Sequence, residues 1–173
     1  MAYMDLIKRI TFGEIFADDE KQQKSARVVL MDDNNLVAVL YLGALDFYTL
    51  PGGGVDDWES YEQGAIREVR EETGCNCEIV NTLGRIDENS KTLGWNGVNI
   101  CFIAKVKGEK GVCDMTQEEI DDKTQLHWYS LDEALEIIAN QQANPTDERE
   151  AGILKIIQQR NIVILNCAKE ILG

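Results

Sequence analysis

No stretch of this sequence is apolar for long enough to cross a membrane. Runs such as Ile162-Val163-Ile164-Leu165 fall far short of the ~20 residues that a span needs. The start of the chain, Met1 to Arg9, lacks a basic segment followed by an apolar one, so no secretory leader is expected and a cytoplasmic location follows as the default. Basic residues are scarce: 17 against 31 acidic ones, a net charge of −14. A surface this negative repels phosphate backbones and anionic lipid, which argues against bulk nucleic-acid or membrane partners. A small phosphorylated substrate stays compatible if a cation lies between it and the protein. Histidine is reduced to His127, far from the C-x-C of Cys75-Asn76-Cys77, so a zinc site is not expected. The five cysteines are an odd number in a sizeable domain and read as buried free thiols, not as a disulfide framework.

Repeats and low-complexity tracts are absent too, and 44% apolar with 28% charged residues is ordinary globular composition. The 173 residues suit a single domain, 1–173, with a core over about 25–140 and a helical extension over about 144–172. Ala26 to Met31 and Leu36 to Leu42 read as a hairpin around Asp32-Asp33-Asn34-Asn35. Phe47 to Leu50 reads as a short strand stopped by Pro51 and three glycines. Ser60 with Gln63 forms a capping box that opens a helix, and Gly74 closes it. Strands are expected at Cys77–Ile86, Val98–Val106 and Gln125–Tyr129, with a polar loop from Lys107 to Lys123. A second capping box, Ser130 with Glu133, opens a helix to about Asn140, and Pro145 marks the start of a C-terminal helix. The order of elements predicts a mixed α/β sandwich, not a doubly wound sheet.

The stretch from Gly53 to Cys75 carries the chemistry. On the expected helix, Glu68, Glu71 and Glu72 stand at i, i+3 and i+4 and share a sector of ~100° beside Ala65, Ile66 and Val69, which are placed to pack on the sheet. Like charges at that spacing cost ~0.2–0.5 kcal/mol per pair, so something must offset them. Arg67 and Arg70 do so in part. A hard divalent cation, Mg²⁺ or Mn²⁺, would do more. A solvated Glu/Arg face is the ordinary explanation of such a string. The entry through Gly52, Gly53 and Gly54 weighs against it, because bare backbone can approach a ligand closely there.

The spacing resembles the signature of the Nudix hydrolase family, G-x5-E-x7-R-E-U-x-E-E-x-G-U with U aliphatic. Gly53, Glu59, Arg67, Glu68, Glu71, Glu72 and Gly74 fill every fixed position, and Val69 the first aliphatic one. Only the last departs, where Cys75 stands. A chance match is on the order of 10⁻⁸ to 10⁻⁹ per start position. The flanks, Leu50 to Gly53 and His127 to Ala134, resemble the family as well. The resemblance implies an α/β/α sandwich with a mixed sheet and a loop–helix–loop motif. It further implies hydrolysis of a pyrophosphate bond in a nucleoside diphosphate linked to another group, a nucleoside triphosphate or similar small nucleotide in first place. Glu68, Glu71 and Glu72 with the Gly53 carbonyl would bind the metal, while Glu59 and Arg67 would orient those carboxylates. Gly52, Gly53 and Gly54 would meet the substrate. The general base would be Glu68 or a later carboxylate, Glu118 or Glu119, although Thr116 to Glu119 also reads as a helix cap.

Between Gly74 and Trp128 the chain has neither Pro nor Tyr. That disfavours the subfamilies acting on ADP-ribose, dinucleoside polyphosphates and NADH. Trp95, Phe47 and Tyr48 are candidates for base stacking or for the core, Trp58 for covering the loop, and His127 for a structural part. The alternative is a Nudix-fold module that binds a nucleotide without cleaving it. An isomerase relative would need a catalytic cysteine, and Cys101 has no matching motif around it. Ile153, Ile157, Ile164, Ala168 and Ile171 form a stripe suited to a homodimer seam or to packing within the chain.

Overall fold

The structure is a computed structural model that describes residues 4–113, 117–121 and 123–173, apart from the side chains of Glu118 and Glu119. The elements run β1 (Leu6–Thr11), β2 (Gln23–Met31), β3 (Val37–Leu42), β4 (Phe47–Thr49), α1 (Tyr61–Thr73), β5 (Asn76–Ser90), β6 (Trp95–Lys107), α2 (Gln117–Asp121), β7 (Thr124–Tyr129), α3 (Leu131–Asn140) and α4 (Glu148–Leu172). The strands make a mixed sheet in the order β1-β5-β6-β2-β3-β4, with β7 on β3. β1 runs parallel to β5 and β2 parallel to β6, while the remaining pairs are antiparallel.

Alternation along β2 sorts the core into two layers. Ala26, Val28 and Leu30 face α1 and pack with Ala65, Val69, Cys75 and Phe102. Val29 and Met31 face the other way, toward Ile138 of α3 and Ile156, Ile164 and Leu165 of α4. Helices therefore cover both faces, and the α/β/α sandwich expected from the sequence is what forms.

The segment that follows β4 is placed by a splay in the sheet. β2 and β3 meet only at Met31 and Val37, next to their turn, and then diverge. β4 pairs with β3 in the gap, and its continuation is sewn to β2 instead. Val28 N–H donates to the Pro51 carbonyl, Ala26 N–H to the Gly53 carbonyl, and Val55 N–H to the Lys24 carbonyl, at 2.9, 2.9 and 3.0 Å. A loop tied at three points to a central strand is a rigid platform.

Several expectations are corrected. α4 starts at Glu148, not at Pro145, because Asp147 is the cap: its side chain accepts from Glu150 N–H, and the Glu150 carboxylate reaches back to Thr146. The polar loop holds the short helix α2. β5 and β6 extend beyond their apolar patterns to Ser90 and back to Trp95, because backbone pairing continues through the polar residues Asp87 to Ser90, opposite Trp95 to Val98, where no apolar alternation marks a strand. Ile66 is 39% exposed and points away from the sheet. Cys75 and Cys101 are buried, whereas Cys77, Cys113 and Cys167 are only partly so; none of the five is in a disulfide. Of the C-terminal stripe, Ile164 and Ala168 lie in the sheet-facing core and Ile171 is exposed, so packing within the chain takes up its centre. Among the described residues no helix is long and apolar enough to cross a membrane.

Candidate active site

α1 is held at both ends by the devices that mark it in the sequence. The Ser60 side chain accepts from Gln63 N–H, Gln63 returns the bond to Ser60 N–H, and Gly74 closes the helix in the left-handed region at φ 68°. Between these ends the helix presents Arg67, Glu68, Glu71 and Glu72 to the platform of residues 51–54.

Two glycines make that approach possible. A Cβ on Gly53 would stand 2.6 Å from the Glu68 carboxyl carbon, so the carboxylate occupies the space that any side chain there would need. Gly52 has φ 132°, and a Cβ on it would lie 2.1 Å from the Ala26 carbonyl oxygen. Gly52 N–H donates to Glu72 Oε2 at 2.7 Å, which fixes the last of the three glutamates.

Arg67 organises the rest. Its Nε and Nη2 form a fork on the Glu59 carboxylate at 2.7 and 2.9 Å. Nη1 donates to Glu68 Oε1 at 2.7 Å and to Glu71 Oε2 at 3.2 Å, and Nη2 also donates to the Gly54 carbonyl at 2.9 Å. All five guanidinium donors are thus used. Glu59 is held below the usual carboxylate range, chiefly by its bond from Arg67. The Arg67 pKa is raised, first through the Glu59 bond. Glu68 behaves oppositely. Burial pushes its carboxyl up, and the nearby Arg67 offsets that only in part.

A groove of about 510 Å³ opens beside Glu68 and Arg67, lined also by Lys21, Lys24, Gly54 and Asp57. A second, of about 690 Å³, lies beyond Glu71 and is lined by Gln63, Arg70, Gly74 and Val112. Arg67 stands between Glu68 and Glu71, and among the described residues no three His, Cys, Asp or Glu side chains are gathered into a cage for an ion. The donor set still suits one. Carboxylates and a carbonyl are hard oxygen ligands, and the partly buried Glu68 carboxylate is not fully compensated by Arg67. Glu68, Glu71 and Glu72 would hold the ion with the Gly53 carbonyl, whose second lone pair remains beside the bond from Ala26.

Other expectations resolve around this centre. The backbone of Glu118 and Glu119 lies in α2, but their side chains are outside the described residues. Phe47 is core. Tyr48 and His127 join Tyr41 and Tyr129 in an aromatic cluster, with His127 stacked on Tyr129 at 5.9 Å. Trp95 donates its Nε1–H to Glu88 at 2.7 Å. Trp58 is 78% exposed and covers nothing. Sequence reasoning missed the partly buried Arg27, whose Nη1 donates to the Gly52 carbonyl and Nε to Asn99. A charge within the apolar run Ala26 to Met31 was the available signal.

Comparison with known proteins bears on the family and the fold. Over 64 residues the chain is 39% identical to an RNA pyrophosphohydrolase of Wolbachia pipientis wMel, covering 37% of this chain and 39% of that protein. Over 91 residues it is 33% identical to an 8-oxo-dGDP phosphatase of Danio rerio, covering 53% of this chain and 26% of that one. The chain thus spans well under half the length of these curated relatives. A solved NUDIX hydrolase from Nitrosomonas europaea superposes with a TM-score of 0.58 at 17% identity, covering 82% of this chain and 91% of that one, a likeness of fold. The NUDIX domain description matches residues 21–149, and the chain belongs to the Nudix family.

Proposed function

We propose that this chain is a pyrophosphohydrolase that uses Mg²⁺ or Mn²⁺ to cleave a nucleoside diphosphate linked to a further group, a nucleoside triphosphate or similar small nucleotide in first place. The observation that carries the reading is the seating of Glu68 on the bare backbone of Gly53, with Arg67 bridging it to Glu59 and Glu71. The relatives named above act, by their descriptions, on nucleotide phosphates.

In the proposed reaction a water oxygen attacks phosphorus, the bridging P–O bond breaks, and the leaving phosphate keeps the electron pair. A divalent cation held there would neutralise phosphate charge and lower the pKa of water. Glu71 and Glu72 would hold it with carboxylate oxygens from one helix face. Glu68, raised by burial, takes the water proton, or Glu118 or Glu119 does so from α2. Arg67 and Glu59 keep the carboxylates from rotating away. Lys21 and Lys24 line the groove beside Glu68, Lys24 paired with Asp57 at 3.3 Å, and would meet phosphates that the −14 chain otherwise repels.

The test is a panel of nucleoside triphosphates, oxidised nucleotides and dinucleotides, each with Mg²⁺ or Mn²⁺, scored for phosphate and pyrophosphate release. Metal-dependent turnover of a member, abolished by Glu68→Gln, supports the reading. Tight nucleotide binding without turnover would replace it with a binding module. Full activity in a Glu118→Gln/Glu119→Gln double variant would assign the base to Glu68.

A further inference from the structure

We infer that Arg27 is a positioning residue, holding the glycine platform in the place that lets Glu68 and Glu72 seat on it. The inference rests on the metal-binding reading of those glutamates. Arg27 lies on the β2 face that carries Val29 and Met31, where alternation calls for an apolar side chain. The residue is partly buried, and desolvation of its guanidinium together with the neighbouring Arg160 lowers its pKa to about 10. Taking a charge even partly out of water is costly unless its bonds repay it. The bonds it makes lead to the platform: Nη1 donates to the Gly52 carbonyl, and Nε to Asn99 Oδ1 at 3.3 Å. Asn99 in turn donates to the Ile86 carbonyl at 3.4 Å, which anchors the arrangement in β5.

Gly52 is therefore held from two sides. Its N–H points to Glu72 on α1, and its carbonyl to Arg27 on β2. The next residue is Gly53, against whose Cα the Glu68 carboxylate packs. Rotation of the Gly52 backbone would shift the Gly53 carbonyl and the seat of Glu68 together. Glycine resists such rotation least of all residues, and the backbone bonds from Val28 and Ala26 hold the Pro51 and Gly53 carbonyls but not that of Gly52 between them, which Arg27 holds.

The competing explanation is structural. Arg160 pairs with Glu88 at 3.1 Å, both buried, and this cluster docks α4 on the sheet. Arg27 lies close enough to feel both charges, but its bond to Gly52 leads away from that docking, to the platform. The two roles separate experimentally by comparing Arg27→Met and Arg27→Lys with Arg160→Met. Three readouts are used: amide hydrogen exchange of residues 50–55, Mn²⁺ affinity by electron paramagnetic resonance, and kcat and KM on whichever nucleotide the panel identifies.

Arg27→Met is expected to speed exchange in the 50–55 segment, raise the Mn²⁺ Kd several-fold and lower kcat tenfold or more with KM little changed. Arg27→Lys is expected to rescue stability but not kcat, because one ammonium cannot span Gly52 and Asn99 as the fork does. It also carries the test if Arg27→Met fails to fold. Arg160→Met is expected to lower Tm and speed exchange in α4 while leaving Mn²⁺ affinity and kcat within twofold. Unchanged 50–55 exchange in both Arg27 variants overturns the inference, as does an Arg160→Met variant that reproduces their losses. Wild type that neither binds Mn²⁺ nor hydrolyses any nucleotide overturns the metal reading instead, and the exchange comparison still decides the clamp.

Discussion

Glu72 does two things with one carboxylate. It accepts from Gly52 N–H and contributes charge to the acidic face of α1. Glu72→Gln keeps an amide oxygen for the backbone bond and deletes only the charge, so the fold is expected to hold while turnover falls by more than the ~10–100-fold that loss of a supporting partner brings. Glu71→Gln is expected to behave alike. A near-wild-type rate for either, measured at saturating metal, would strike it from the ligand set. Cys75 offers a contrast at the same scale. It is fully buried against Ala65 and Val69 in the layer under α1, so Cys75→Val, which supplies the family's aliphatic side chain, is expected to change stability by under ~1.5 kcal/mol and kcat not at all. Urea melts with activity assays check both.

At the scale of the element, the platform's glycines are not equivalent. Gly53 lies outside the left-handed region, and the nearest atoms an added methyl meets are those of the Glu68 carboxylate, whose side chain can move away. Gly53→Ala is expected to keep near-wild-type stability and lose most activity. Gly52→Ala drives a methyl into the Ala26 carbonyl at a positive φ and is expected to cost ~2–3 kcal/mol as well. Equal stability of the two variants in thermal melts would contradict the geometry. The β2–β3 turn gives a pH prediction. Asp32 accepts from the N–H groups of Asn34 and Leu36, both at 2.9 Å, and from Lys110 Nζ at 2.6 Å; Lys110 also sits 3.7 Å over the Trp128 ring. Burial pushes the Asp32 carboxyl up, but these bonds outweigh it and hold the pKa below its ordinary value. A depressed carboxylate stabilises the fold above its unfolded pKa of ~3.9 and loses that contribution as pH falls through its folded pKa. Asp32→Asn keeps the turn bonds but loses the ion pair. With Lys110 42% exposed, the loss at pH 7 is expected to be no more than ~1 kcal/mol. The gap from wild type is expected to narrow below pH 4, and melts in which it persists to pH 3 would exclude the pair as its source.

For the whole molecule the dominant fact is the charge of −14, part of it concentrated on one face of α1. A divalent ion that binds only the folded state stabilises it by RT ln(1 + [L]/Kd), ~2.7 kcal/mol at a hundredfold excess over Kd. At millimolar Mg²⁺ and a weaker site the expected gain is ~1 kcal/mol, a Tm rise of ~2–4 °C, with Mn²⁺ at least as effective. Sodium chloride at matched ionic strength screens the whole surface and must not reproduce the shift. The Glu71→Gln/Glu72→Gln double variant is expected to lose most of it. An equal Mg²⁺ shift in both proteins would make those glutamates a solvated face and nothing more.

The sequence by itself determined whatever depends on residues within a turn of one another. The capping boxes at Ser60–Gln63 and Ser130–Glu133, the glycine stop at Gly74 and the shared face of Glu68, Glu71 and Glu72 are matters of i, i+3 and i+4 geometry, and all are present in the fold. The family box was legible for the same reason, since its spacing is the pitch of one helix. Tertiary structure decided what joins distant residues. Arg27 meets Gly52 across 25 positions and Arg160 meets Glu88 across 72, and no local pattern specifies either pairing. Ile66 turned outward because the buried stripe of α1 follows Ala65, Val69 and Thr73 at four-residue steps and Ile66 lies ~100° round the helix from Ala65, and α4 began at Glu148 because the Asp147 side-chain cap competes better than a proline two residues before it. The platform belongs to this second class. Its glycines announce that backbone comes close to something, but the splay of β2 from β3, a property of the sheet, sets what it meets.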